Sequence, residues 1–508
     1  MMLKQILVGL TSCALASAAI AQEQTGSMAP TEGDALGMRL SLLGQVVPRS
    51  AAEIDANSWS VGTEAIDRDY SSYEAWRAYL GPLGAKRARL QSGWTRTDLG
   101  GGRYDFAWLD PIVDGMLSDK VQPWLSLSYG NDRYTGGGTG RRDSPLPSGA
   151  GRVAWLAYVD AVARRYAGRV PEYELWNEPD LNPLINAQAY GDFAFETARA
   201  IRAADPSAQI ILGAFAGAWH KDGKERAFAL ASLKRYIERG GKAEALTYHS
   251  YATNPDSVYP DVETFIAAVK ALSPDTQVRQ GENGAPSMNQ ASYALRNMWW
   301  TEQSQAKWLL RRMLGDAARS IPTSMFSLTE MHYPPSAEMG LTWQKARGET
   351  RMIATAKHFK GMLETRRYAP GTPEDDRTVV RTKMAYVAMQ ALTAIFDSRL
   401  QPLAVKCTVT GTDAPVAVYA FRRADGASII AAWRNGDRPD DSPVHEAVDI
   451  ECPGLRFGEG PRYVDLLTRG VYATSGVVEQ RGDSVTLRAL PIYDSPVLVA
   501  DAALVSAQ

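Results

Sequence analysis

The chain has 508 residues, 45% hydrophobic and 22% charged, with Lys+Arg 55 against Asp+Glu 57 and a net charge of −2. This is the mix of a soluble globular protein, long enough for one large and one small domain, and its bulk charge favours neither nucleic acid nor anionic membranes. The 13 Trp and 22 Tyr are a mild hint of sugar binding, since flat rings stack on pyranose faces, although aromatic cores account for most such residues.

Residues 1–21 read as a secretory signal: Lys4 near the start, an apolar run, and Ala19-Ile20-Ala21 as a cleavage site before Gln22. Cleavage there predicts a secreted or periplasmic protein. The LTSC ending at Cys13 resembles a lipoprotein box, but the apolar run before it is short, which ranks that reading second. No later stretch is apolar for long enough to span a bilayer. Cleavage leaves Cys407 and Cys452, which either pair in an oxidising compartment or stay as two buried thiols; sequence spacing does not choose between these.

After a lead-in over 22–56, apolar β-type runs alternate with amphipathic helical stretches. The predicted strands are SWSVGTEA (58–65), KRARLQSGW (86–94), QPWLSLSYGN (122–131), YELWNEP (173–179), QIILGAFAG (209–217), ALTYHSY (245–251), QVRQGENG (277–284) and TSMFSLTEM (323–331). Between them lie helical patterns such as GRVAWLAYVDAVARRYAG and SQAKWLLRRMLGDAARS. Eight strands alternating with helices predict an α/β fold, a (β/α)8 TIM barrel over 57–399, rather than an open doubly wound sheet. GNDRYTGGGTGRRDSPLPSGAG is a long loop after the third strand, at the end where barrel active sites are built. A helix over 382–399 closes the barrel. The interval 343–381 reads as an insert after the eighth strand, helical only in TRMIATAKHFKGMLETRR (350–367). From 400 to 508 the pattern changes to short alternating runs split by Asp-Gly, Asn-Gly and Gly-Asp turns, which predict a small antiparallel β-sandwich.

Acids at the C-terminal ends of barrel strands are the candidates for chemistry. Glu178 ends the fourth strand, Glu282 the seventh and Glu330 the eighth; Glu64 and Asp67 follow the first. The fourth and seventh strands can face each other across the barrel mouth, the arrangement that two-carboxylate glycoside hydrolysis needs. Pro179 fixes the chain after Glu178, and Gly281 and Gly284 around Glu282 predict close approach of a substrate to the backbone. Arg89, Tyr248, His249 and Tyr251 are candidates to hold a nucleophilic carboxylate ionised. The residues alone do not say which glutamate is which.

The Trp-Asn-Glu-Pro of the fourth strand (Trp176–Pro179) with a glutamate ending the seventh resembles clan A retaining glycoside hydrolases, and the added C-terminal sandwich is similar to family 39 and its relatives. The resemblance implies Glu178 as acid/base, Glu282 as nucleophile and Asn177 as a contact to the sugar 2-hydroxyl. It likens Arg89 to the clan's second-strand arginine, and His249 and Tyr251 to its sixth-strand pair. The seventh strand departs from the clan in reading Gly-Glu-Asn-Gly. No Trp stands at the very end of the eighth, so Trp343 or Tyr333 is the candidate sugar platform. Trp94, Tyr129, Asn131 and Tyr134 are further candidates to line the cleft.

Each site residue has a bland alternative: a strand-end turn residue for Glu178, Glu282 and Asn177, an ion pair inside the barrel for Arg89, a packed core histidine for His249, surface salt bridges for Glu64 and Asp67. Glu330 reads as a supporting acid. His220, His332, His358 and His445 lack metal-ligand spacing and there is no H-E-x-x-H, so no metal or cofactor is expected. The expected function is a secreted retaining glycoside hydrolase acting on a plant or bacterial polysaccharide or oligosaccharide. The alternatives are a transglycosidase on the same barrel and a non-catalytic carbohydrate-binding barrel protein. Retention predicts carboxylates roughly 5–5.5 Å apart, inversion about 6.5–9.5 Å.

Overall fold

The structure is a computed structural model describing residues 26, 28–29, 40–290, 293–333, 357–366 and 377–508, and the backbone alone of 341–346 and 349–354. The signal region with Cys13 and Ala21 lies outside the described residues. Of Trp343, only its place in an antiparallel strand pair opposite Met352 is described.

Eight parallel strands close into a barrel: β1 (Trp59–Gly62), β2 (Arg87–Gln91), β3 (Gln122–Leu127), β4 (Glu172–Leu175), β5 (Gln209–Phe215), β6 (Ala245–His249), β7 (Gln277–Asn283) and β8 (Thr323–Met325). Seven of the predicted strands contain one of them, and the fourth, predicted over 173–179, overlaps β4, which begins one residue earlier at Glu172. Each is followed by a helix: α1 (Tyr73–Leu80), α2 (Asp110–Ser118), α3 (Gly149–Tyr166), α4 (Ala187–Ala204), α5 (Lys224–Glu238), α6 (Tyr259–Leu272), α7 (Glu302–Ala317) and α8 (Met384–Ile395). The helices form because their apolar positions recur at helical spacing. In α3, Trp155, Tyr158, Val159, Val162 and Tyr166 make one buried stripe. Asn186 caps α4 by accepting from the Ala189 amide, and Thr301 with Ser304 forms a capping box on α7.

The barrel interior is layered. Trp124, Ile211 and Ala245 meet as an apolar cluster apart from the main core. Two residues further along their strands, Ser126 and Thr247 join Arg89 and Glu174 in a polar layer. Arg89 Nε donates to Glu174 Oε2 (2.7 Å), and Thr247 Oγ1 donates to Glu174 Oε1 (2.6 Å). This layer is the floor of the barrel mouth.

The C-terminal region forms a seven-stranded and a four-stranded antiparallel sheet. One boundary read from sequence needs correction: Ser41–Gln45, in the lead-in, pairs with Gly470–Ala473 and edges the seven-stranded sheet. That pairing is invisible to local pattern because its partner lies at the other end of the chain. Cys407 and Cys452 are disulfide-bonded, joining the start of strand Thr408–Thr410 to Glu446–Pro453. The sheets dock on the barrel through buried polar contacts: Lys307 of α7 reaches Asp494 (2.5 Å), and the Trp433 indole donates to Asp256 (3.2 Å).

The helix expected over 350–367 is also corrected. Glu349–Ala354, Lys357–His358 and Leu363–Thr365 are strands, the second pairing with Met331–His332 and the third with Val379–Thr382. Long-range pairing overrides a local pattern that fits a helix. No helix among the described residues is long and apolar enough to cross a membrane.

Candidate active site

The turn that carries Glu178 is held in an unfavourable backbone conformation. Trp176 and Glu178 both have left-handed φ (73° and 50°). Such a conformation costs about 1–3 kcal/mol for a non-glycine residue and persists only where its surroundings enforce it. Here the Trp176 amide donates to Leu127 O (3.0 Å) and the Glu178 amide to Ala214 O (2.9 Å), tying the turn to β3 and β5. The Trp176 indole is buried against Tyr129, Trp155 and Phe193. Asp180 accepts from the amides of Ala216 and Gly217, both at 3.0 Å.

Glu282 is aimed by a different device. The pairing of β7 with β6 shifts between Gln280 and Glu282, which sets Glu282 opposite His249. A bulge of this kind re-aims the side chain that follows it. Gly281 permits it, because a Cβ there would meet Thr247 Cβ at 2.9 Å; at Gly284 a Cβ would meet Phe326 O at 2.2 Å. These glycines therefore admit neighbouring protein atoms, not a substrate as the sequence suggested.

The two carboxylates converge. Oxygen atoms of Glu178 and Glu282 and a ring nitrogen of His249 lie within 4.8 Å of one another. His249 Nδ1 stands 3.1 Å from Glu178 Oε1 and 3.7 Å from Glu282 Oε2. Tyr251 donates to Glu282 Oε1 (2.6 Å). Arg89, 0% exposed, is the hub: Nη1 donates to Glu282 Oε2 (3.0 Å) and Glu64 Oε1 (2.9 Å), and Nη2 to Asn177 Oδ1 (2.7 Å). Asn177 in turn donates to the Tyr129 hydroxyl (2.7 Å). Both Glu178 and Glu282 keep 13% exposure, enough to meet a ligand from the mouth.

Burial is the largest influence on Glu178 and pushes its carboxyl up. The hydrogen bond and charge of His249, with Arg142 and Arg89, outweigh it and leave the group below its ordinary value. His249 moves the other way: burial pulls it down, but Glu282 and Glu178 raise it overall. Burial, then the charge of Glu282, pushes Glu64 up to about 7 against the pull of Arg89, and its Oε2 finds no hydrogen-bond partner among the described residues. Burial and then Glu282 keep the Tyr251 phenol well above its ordinary value, so it remains a donor. Glu178, His249 and Glu282 are also the donors that could approach a small cation. Arg89 stands beside Glu282 and Arg142 beside Glu178, so each carboxylate has a cationic neighbour from the protein.

Other candidates serve the scaffold. Trp94 is fully buried, its indole donating to Asp98 and stacking on Tyr134 and Tyr158, so it is not a cleft residue. Tyr134 gives its hydroxyl to the same aspartate (3.0 Å). Asn131 is a turn residue accepting from the Arg133 amide (3.1 Å). Asp67 pairs with Arg68 (3.3 Å), whose guanidinium lies over the rings of Tyr70 and Tyr129. Tyr333 joins Tyr70 and Tyr293 in an aromatic group (centroids 4.8 and 5.1 Å). Glu330 lies beyond β8, enclosed by Lys357 and Lys383. Sequence reasoning missed Glu174 and Arg142. Glu174 had a signal: a charge inside a buried four-residue strand, in phase with Glu172. Arg142, in a Gly/Pro-rich loop, had none.

Residues 92–281, from the end of β2 to the residue before Glu282, match the family described as glycosyl hydrolases family 39. No curated protein matches the chain. Among solved structures it is similar to a family 39 glycoside hydrolase from Bacteroides cellulosilyticus WH2 (TM-score 0.59, 15% identity, 88% of this chain and 81% of that one). It is also similar to a monomeric β-xylosidase from Caulobacter crescentus CB15 (0.54, 18%, 91% and 98%) and to a family 30 subfamily 8 xylanase from Clostridium acetobutylicum (0.51, 13%, 90% and 98%). The chain thus has a glycoside hydrolase family 39-like fold, consistent with a glycosidase.

Proposed function

We propose that the protein is a secreted retaining glycoside hydrolase with Glu178 as acid/base and Glu282 as nucleophile. The observation that carries this reading is the convergence of the two carboxylates in the barrel mouth, where oxygen atoms of Glu178 and Glu282 lie within 4.8 Å of each other; a retaining mechanism needs the closer of the two carboxyl spacings. Arg89 and Tyr251 donate to Glu282 Oε2 and Oε1 and hold the carboxyl in place for attack. His249 Nδ1, 3.1 Å from Glu178 Oε1, holds that oxygen and leaves Oε2 to carry the acid's proton.

In the first step Glu178 gives its proton to the glycosidic oxygen, the bond from that oxygen to the anomeric carbon breaks, and a Glu282 oxygen bonds to that carbon. The ester removes the negative charge beside Glu178, which favours its ionised form for the second step. Water then bonds to the anomeric carbon, its proton passes to Glu178, and the ester bond breaks. Asn177, fixed by Arg89 and Tyr129, presents an amide beside the acid for a sugar hydroxyl. The signal sequence and the Cys407–Cys452 disulfide support an oxidising compartment.

The test is a screen of purified protein on aryl glycosides and on plant and bacterial polysaccharides, with proton NMR of the first product formed. Release of a sugar with its anomeric configuration kept is expected. Inverted product would overturn the mechanism, and inactivity on every glycoside would overturn the function.

A further inference from the structure

The two oxygens of Glu178 face different neighbours. Oε1 is engaged by His249 Nδ1 (3.1 Å), which also reaches toward Glu282 inside the mouth. Oε2 lies 3.5 Å from Nη1 of Arg142, a residue 66% exposed on the loop between β3 and α3. This is the one ion pair Arg142 makes among the described residues; its neighbour Arg141 pairs with Asp143. Arg68, also near the mouth, is already engaged by Asp67 and Gln91.

A general acid must turn its proton-bearing oxygen to the leaving group. With Oε1 held by His249, that oxygen is Oε2, so Arg142 stands where the leaving group has to lie. A guanidinium at that position resists protonation of the acid it touches. A neutral leaving group can only push it aside. A carboxylate on the leaving portion gives the planar guanidinium a matching partner, draws it off Oε2 and frees that oxygen to carry the proton.

Resting on the reading of Glu178 as general acid, we propose that Arg142 forms a subsite for a carboxylate on the leaving-group side of the scissile bond, so that the substrates are acidic glycans. Binding there would also help to switch on the acid, because the anion relieves the contact that opposes protonation. Glu178 is faced by Arg89 and His249 from the barrel strands, by Tyr129 and Tyr251 just after β3 and β6, by Glu282 across the mouth and by Asp180 from its own turn.

The test uses two aryl glycosides of whichever sugar the screen identifies, differing only in a meta-carboxylate or a meta-carboxamide on the leaving phenol. The full-length protein should prefer the carboxylate in kcat/KM by about tenfold at low salt, and the preference should shrink at high salt. In Arg142→Gln the ratio should fall to about one, and Arg142→Lys should restore part of it. A ratio of one in the unaltered protein, or one that Arg142→Gln leaves intact, would overturn the proposal. Inactivity on every glycoside would instead remove the general-acid reading beneath it.

Discussion

Glu282, near the end of β7, and Glu330, beyond β8, both lie against buried cations, yet they are built to opposite ends. Glu330 has a lysine on each oxygen, Lys383 on Oε1 and Lys357 on Oε2, both at 2.5 Å, and its Oε2 also accepts from the Thr365 amide. Burial pushes that carboxyl up, but the two lysines outweigh it and hold it at about 2. Glu282 shares a single arginine with Glu64 and Glu174 and stays open to the mouth. Saturating a carboxylate with private cations makes a structural joint. Leaving several carboxylates to share one cation makes a site where charge can change during a reaction.

The sharpest way to break this comparison is to neutralise the acids in turn. Glu178→Gln should lower kcat/KM by about 10²–10⁴-fold, and Glu282→Gln should remove nearly all turnover, since no nucleophile is left. Neither should lose fold, as judged by unchanged circular dichroism and denaturation midpoint. Glu330→Gln should do the reverse: it leaves two lysines buried without their counter-charge and should cost about 3–5 kcal/mol in urea unfolding, with kcat within a few-fold of the parent. If Glu330→Gln abolished turnover at unchanged stability, the division between joint and site would be wrong.

Acid titration sharpens the same contrast. Glu330 has its folded pKa depressed to about 2 from 4.5, so its contribution to stability is present above pH 4.5 and is lost as pH falls through 2. That contribution is about 3 kcal/mol, and Glu330→Gln should flatten this part of the stability–pH curve. Glu64 has the opposite sign. Its folded pKa is raised to about 7, so it opposes folding increasingly as pH climbs from 4.5 to 7. Glu64→Gln should then stabilise the protein at pH 8, by up to about 3 kcal/mol, while lowering activity, the exchange expected where a strained group serves the site.

What could be read in the sequence follows the range of the interactions involved. The eight strands and the two terminal glutamates were legible because alternating apolar runs and a Trp-Asn-Glu-Pro turn are local signals. The sharing of Arg89 by Glu64, Glu174, Glu282 and Asn177 was not, because it joins residues from β2, β4 and β7 and from the turns after β1 and β4. Trp94 looked like a cleft aromatic because it follows β2, but the chain coils back at once and buries it. The strands at Lys357–His358 and Leu363–Thr365 escaped for a related reason. Their partners lie at Met331–His332 and Val379–Thr382, and nothing in the 350–367 segment itself marks the pairing.

The most direct measurement of the central claim is to trap the intermediate. A 2-deoxy-2-fluoro glycoside of the sugar found in the screen, carrying a good leaving group, should inactivate the enzyme and add one glycosyl mass. Peptide mass spectrometry should locate that mass on Glu282. An adduct on any other residue, or turnover of the fluorosugar to inverted product with no adduct, would contradict the account.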